Sequence, residues 1–74
     1  MPITVYTLPG CTQCSMTKKN LEGRGIAFDV VDLSTDQAAA DMVRGLGYMA
    51  APVVVAGDRH WHGFQPARLA ALTA

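Results

Sequence analysis

Apolar residues fall in four short runs separated by breaks rich in glycine or proline. "ITVYT", Ile3–Thr7, is β-branched and aromatic and predicts a strand that "LPG" ends. From Cys11 or Thr12 to about Glu22, positions Cys14, Thr17, Lys18 and Leu21 recur at three- and four-residue spacing. That is a thin apolar stripe widened by a lysine stem, and it predicts a helix that "GRG" stops at 23–25. "IAFDVVDL", 26–33, is almost continuously apolar and predicts a second strand, parallel to the first and buried on both faces. Ser34 followed three residues later by Gln37 has capping-box spacing. Ala39, Met42, Val43 and Leu46 then mark one helical face, which Gly47 terminates. Val53–Ala56 reads as a third strand, Gly57–Asp58 as a tight turn and Arg59–His62 as a short fourth strand. "QPARLAALTA" predicts a last helix with Pro66 in its first turn. The order is βαβ, then α, then a β-hairpin, then α.

Composition adds limits. A chain of 74 residues makes one domain, 1–74, and half of its residues are hydrophobic against 16% charged, which suits a compact globule. Six basic and six acidic residues cancel, so no electrostatic footprint for nucleic acid or anionic membrane exists. "MPITVYT" lacks the basic run and apolar core of a signal peptide, and no apolar stretch reaches the ~20 residues of a membrane helix. The expected compartment is the cytoplasm, where thiols stay reduced and a close cysteine pair is more often catalytic or metal-binding than structural.

That expectation gives weight to "YTLPGCTQCSMTKK", which holds the only two cysteines, Cys11 and Cys14. As a staple the pair would be poor, because the loop it closes is very short. At the start of a helix, however, Cys11 meets unpaired N–H groups and the positive end of the helix dipole, which favour its thiolate. Cys14, one turn on, can attack a mixed disulfide formed by Cys11 and release the reduced partner. Pro9 and Gly10 would hold the loop open in front of Cys11. A Cys-x-x-Cys motif after a βαβ-initiating strand is the pattern of a thiol–disulfide redox site.

Two rivals share these residues. Two buried structural thiols are the plainer reading. A metal or iron–sulfur module is the sharper one. Structural zinc wants four ligands, and the other candidates, His60 and His62, have a spacing shorter than usual but alternate onto one strand face. Trp61 and Phe64, in "HWHGFQP", divide between core and partner surface: Phe64 fits the core, and Trp61 fits either. Pro52, before the third strand, reads by itself as a trans proline opening that strand.

Taken together, "VYT", "CTQC", "TKK", "LGYMAAPVVVAGD" and "WHGFQP" make the whole chain resemble an NrdH-type redoxin, a glutaredoxin-like member of the thioredoxin-fold superfamily. The resemblance implies a four-stranded mixed sheet with three helices. It implies Cys11 as nucleophile, Cys14 as resolving cysteine and a redox-active Cys11–Cys14 disulfide. It also implies a cis bond between Ala51 and Pro52, with the Ala51 backbone free to pair with an extended peptide. Ala51, Pro52, Trp61 and Gly63 then become the candidate partner-binding residues. The resemblance implies no bound cofactor. It further implies that electrons come from NADPH through the flavin of thioredoxin reductase and pass to a class Ib ribonucleotide reductase. Because the active face must stay open, a monomer is the expected state. A glutathione-dependent glutaredoxin is the alternative, but "CTQC" stands where such proteins read Cys-Pro-Tyr-Cys, and "HGFQP" where they carry Gly-Gly-x-Asp. Three positions depart from the family pattern. His62 and Gln65 replace the serine and arginine of WSGFRP, which predicts lost loop-fixing hydrogen bonds. Leu8 stands where many relatives are basic, which removes a cation near Cys11.

Overall fold

The computed structural model describes residues 2–72. Seven elements follow in the expected order: β1 (Ile3–Thr7), α1 (Thr12–Gly23), β2 (Asp29–Asp32), α2 (Gln37–Gly45), β3 (Val53–Ala56), β4 (Arg59–His62) and α3 (Pro66–Ala70). They form one mixed sheet of order β2-β1-β3-β4, the four-stranded sheet with three helices that the resemblance implies. The β1–β2 pair is parallel, and β3 runs antiparallel to both β1 and β4. Thr73 and Ala74, assigned above to the last helix, lie outside the described residues.

Strand alternation builds the core. Val5 pairs with Val54 and Val54 with Trp61, so the three share one face of the sheet. Leu21 of α1 and Leu69 of α3 close over that face, with Ile3, Ile26, Ala56 and Leu72 completing the cluster. Each fully buried aliphatic side chain there contributes about 1.5–3 kcal/mol. Trp61 is only 4% exposed. Its ring therefore belongs to the core, and the partner-contact role weighed for it is corrected. The register places it opposite Val54, and Arg68 lies over its outer face at 5.8 Å.

Both long helices end by the same device. Gly25 takes φ +69°, Ile26 N–H donates to Leu21 O at 3.0 Å, and Gly25 N–H donates to Glu22 O at 3.1 Å. Gly47, Tyr48, Val43 and Arg44 repeat the arrangement after α2. This is the Schellman motif, which needs the left-handed conformation that glycine adopts without a Cβ clash. Beyond it, Arg24 donates from its guanidinium to the carbonyls of Leu69 and Leu72, the latter at 2.6 Å. The end of α1 is thereby tied to the end of α3.

Three expectations need correction. The second strand is half as long as predicted, and Val30 is 49% exposed. β2 lies at the sheet edge, with β1 as its only neighbour among the described residues, so the apolar run is split: Ile26 and Phe28 drop onto the core and the strand proper stays outside. The capping box does not form. Ser34 instead donates twice to Asp32 Oδ1, at 2.8 and 2.6 Å, and Asp36 caps α2 by accepting Ala39 N–H at 2.9 Å. Of the predicted apolar face of α2, Val43 alone is buried, because that helix lies outside the main core cluster.

Candidate active site

The chain leaves β1 at Thr7 and turns through Leu8, Pro9 and Gly10, the last at φ +71°, before α1 begins. Cys11 is the N-cap of α1, with extended backbone angles (φ −91°, ψ 106°). Its sulfur accepts the N–H of Cys14 at 3.1 Å, which satisfies one of the donors a helix start leaves unpaired. Cys11 and Cys14 form a disulfide with their Cα atoms 5.2 Å apart. Cys14 is 2% exposed, whereas Cys11 is half-buried at the rim. An attacking thiolate therefore reaches Cys11 first. Once the disulfide opens, the N–H that now faces its sulfur favours negative charge there.

An open cavity of about 520 Å³ lies beside the disulfide. The β1–α1 loop and the first two turns of α1 line it, and Lys18 and Asp32 bring its two charges. The Ser34 hydroxyl, and then the Ser34 N–H, hold the Asp32 carboxyl below its ordinary range, so it is an anion at neutral pH.

On the other side, Gln13 ties the motif to the rest of the fold. Its Oε1 accepts Phe64 N–H at 3.1 Å, and a Cβ on Gly63 would meet the same oxygen at 3.5 Å. Gly63, at φ +83°, donates its N–H to Pro52 O at 2.8 Å. The Ala51–Pro52 peptide is cis. Through Gln13 and Gly63, the segment at 51–52 and the loop after β4 are thus linked to the start of α1. Gln65 does not loosen that loop as expected. Its amide donates to His62 O at 2.8 Å, and its Oε1 accepts from Arg68 Nε at 2.9 Å.

The histidines are placed elsewhere. His60 and His62 project from the face opposite Trp61, where Tyr48 hydroxyl lies 2.7 Å from His60 Nδ1 and its ring 5.5 Å from that of His62. They do not meet the cysteines. Among the described residues no group of three or more His, Cys, Asp or Glu side chains is arranged to hold a metal.

The glutaredoxin family model matches residues 3–61. The glutaredoxin-like protein NrdH of Salmonella typhimurium is 46% identical over 66 residues, covering 89% of this chain and 82% of that protein. This chain belongs to the NrdH-type glutaredoxin-like redoxins. NrdH of Lactococcus lactis subsp. lactis is 39% identical over 95% of this chain and 97% of its own length. The structure of NrdH-redoxin from Escherichia coli superposes with a TM-score of 0.96 at 39% identity, covering all of this chain and 97% of that one. As a member of this family, the chain is a thiol–disulfide oxidoreductase whose redox-active bond is Cys11–Cys14.

Gln13, Lys18 and Asp32 escaped sequence reasoning as site residues. Gln13 was visible as part of "CTQC", but its hydrogen bond spans 51 residues of sequence. Lys18 registered through its apolar stem. Asp32 lay inside a run read as buried strand, and nothing local indicated that β2 would end beside the disulfide.

Proposed function

We propose that this redoxin carries electrons from an NADPH-dependent thioredoxin reductase to a class Ib ribonucleotide reductase. In the working cycle Cys11 attacks the disulfide of the target, and Cys14 then attacks the mixed disulfide. The target leaves as a dithiol and the Cys11–Cys14 bond is restored. Two electrons and two protons pass from the redoxin to the target in each turn. The reductase returns them from NADPH through its flavin.

One observation carries this reading above the glutathione alternative: the full-length match to NrdH-redoxin of Escherichia coli, a protein described as glutaredoxin-like with a thioredoxin-like activity profile. The asymmetric burial of the two sulfurs supports the division of roles, since the half-buried Cys11 is open to attack and Cys14 is shielded until the first bond breaks. Ala51, Pro52 and Gly63 are the residues we assign to the docking peptide, with the backbone beside Ala51 offering strand-like pairing. Their link to Gln13 puts that segment on the same structural unit as the cysteines. The cycle requires a reducing compartment, so we assign the protein to the cytoplasm, and an open rim at Cys11, so we assign it as a monomer.

The test is a coupled assay with NADPH, the cognate thioredoxin reductase and the ribonucleotide reductase, run beside one with glutathione alone. Rapid NADPH oxidation that depends on the redoxin and on both enzymes is expected. Fast reduction of the disulfide by glutathione, with none by the reductase, would overturn the proposal in favour of a glutaredoxin.

A further inference from the structure

The cavity beside the disulfide receives ionisable groups from two directions. From the N-cap and first turns of α1 come Cys11, Cys14 and Lys18; from the end of β2 comes Asp32; and loop residues Leu8, Pro9 and Gly10 bring none. Positions 11, 14 and 18 are spaced by three and four residues, so the lysine sits on the face of the helix that carries both sulfurs. Lys18 is half-buried, whereas the next residue, Lys19, is exposed. Among the described residues the only ion pair is Arg44–Asp41, so no carboxylate neutralises Lys18 by direct contact. The carboxylate that shares its cavity is engaged by Ser34 instead. Leu8, on the loop wall, is apolar and supplies no cation.

We infer that Lys18 is the cation that stabilises the thiolate of the reduced cysteine pair, and that Asp32, which lines the same cavity, opposes it. The two charges together set how readily the disulfide is reduced and how reactive the free sulfur is. Both are positioning charges, acting through the cavity on sulfur atoms they do not need to touch. At distances of several ångströms, at the edge of the protein, a unit charge changes such an equilibrium by a factor of a few.

The inference rests on the dithiol–disulfide cycle proposed above but not on its partners, so it is tested with a small reductant. Dithiothreitol loses two electrons and two protons as it closes to its cyclic disulfide. The Cys11–Cys14 bond takes the two electrons, Cys14 takes one proton, the other proton goes to solvent, and Cys11 is left as thiolate. A cation in the cavity favours the right-hand side of that equilibrium. The measurements are the thiolate absorbance of the reduced protein against pH, the rate of iodoacetamide alkylation, and the fraction reduced at fixed dithiothreitol, for wild type, Lys18→Met, Lys18→Arg and Asp32→Asn.

Lys18→Met should raise the thiolate midpoint, slow alkylation below that midpoint about threefold, and leave a smaller fraction reduced. Lys18→Arg should restore wild-type behaviour, and Asp32→Asn should shift all three in the opposite direction. High salt should narrow the gap between wild type and Lys18→Met. Failure of the thioredoxin reductase assay would leave these results unaffected. A Lys18→Met protein that titrates like wild type would overturn the inference. So would a Lys18→Arg protein displaced as far as Lys18→Met, or an Asp32→Asn protein that fails to move oppositely.

Discussion

The two ends of α1 differ in what they leave unfinished. At the N-terminal end, the cap is a sulfur bonded to another sulfur one turn on, at the rim of an open polar cavity. Twelve residues later the helix is closed: a Schellman turn uses the Leu21 and Glu22 carbonyls, and Arg24 reaches across to the carbonyls at the end of α3. Between them Leu21 is fully buried against the sheet. A reactive helix start needs amide groups held still while the sulfur changes its bonding, and the closed end together with the core holds them. Chemistry and stability are therefore separable along one helix, and mutations at the two ends should report different quantities.

The largest separation comes from the cysteines. Cys11→Ser should abolish reduction of a disulfide substrate such as insulin in the presence of dithiothreitol, measured above the uncatalysed rate. Cys14→Ser should instead trap a mixed disulfide with the substrate, visible on a non-reducing gel. Both variants should keep the fold when compared with the reduced wild-type protein, because a three-residue separation makes the bond a weak constraint. Equal trapping by the two variants would contradict the assignment of roles.

Arg24→Ala should have the opposite profile. It removes charge-assisted hydrogen bonds to the Leu69, Ala70 and Leu72 carbonyls and should cost about 1.5–3 kcal/mol in urea unfolding. The alkylation rate of the reduced protein should be unchanged. A change in alkylation comparable to that of a cavity substitution would mean that the two ends of the helix are coupled after all.

How much of this was legible in the sequence follows the same division between local and distant causes. β1, the body of α1, the turn at Gly57–Asp58 and the start of α3 at Pro66 depend on residues adjacent in the chain, and their pattern located them. The cysteine pair was legible for the same reason. The length of β2 was not, because burial of Val30 depends on whether another strand lies beyond it, and among the described residues none does. Ser34 has capping spacing, but Asp32, two residues earlier, offers its hydroxyl and N–H a carboxylate, and Asp36 stands closer to the helix. Trp61 could face either way until register placed it beside Val54. Arg24 and Gln13 act over separations of 45 and 51 residues, for which a single sequence carries no signal.

Gln13 gives a smaller test at the reactive end. Its side chain is solvent-exposed, and its one bond to Phe64 N–H should contribute about 0.5–1 kcal/mol. Gln13→Ala should lower stability by that amount and raise amide exchange at Phe64, since that N–H loses its acceptor. Gln13→Glu keeps an oxygen acceptor and should preserve protection at Phe64. Unchanged exchange in the alanine variant would mean that the loop after β4 is held without the motif, and the link from Pro52 through Gly63 to α1 would lose its anchor.

The smallest effect belongs to Asp32, whose carboxyl is held below its ordinary range first by the Ser34 hydroxyl and then by the Ser34 N–H. In the unfolded chain those two donors are no longer positioned, so the unfolded group binds a proton more readily than the folded one. The sign follows: the contribution to stability is fully present above the unfolded carboxyl pKa and is lost as pH falls through the lowered folded value. Ser34→Ala removes the hydroxyl and should make the protein slightly less stable than wild type at neutral pH. The difference should shrink on acidification, because a protonated Asp32 no longer gains from a charge-assisted bond. Because the group is solvent-exposed, the difference will be small, and urea midpoints taken side by side across the acidic range are the suitable measurement. A gap between the two proteins that stays constant down to the lowest pH would show that Ser34 acts through turn geometry and not through the carboxylate charge. The electrostatic account of Asp32 would then rest solely on its effect on the cavity thiolate.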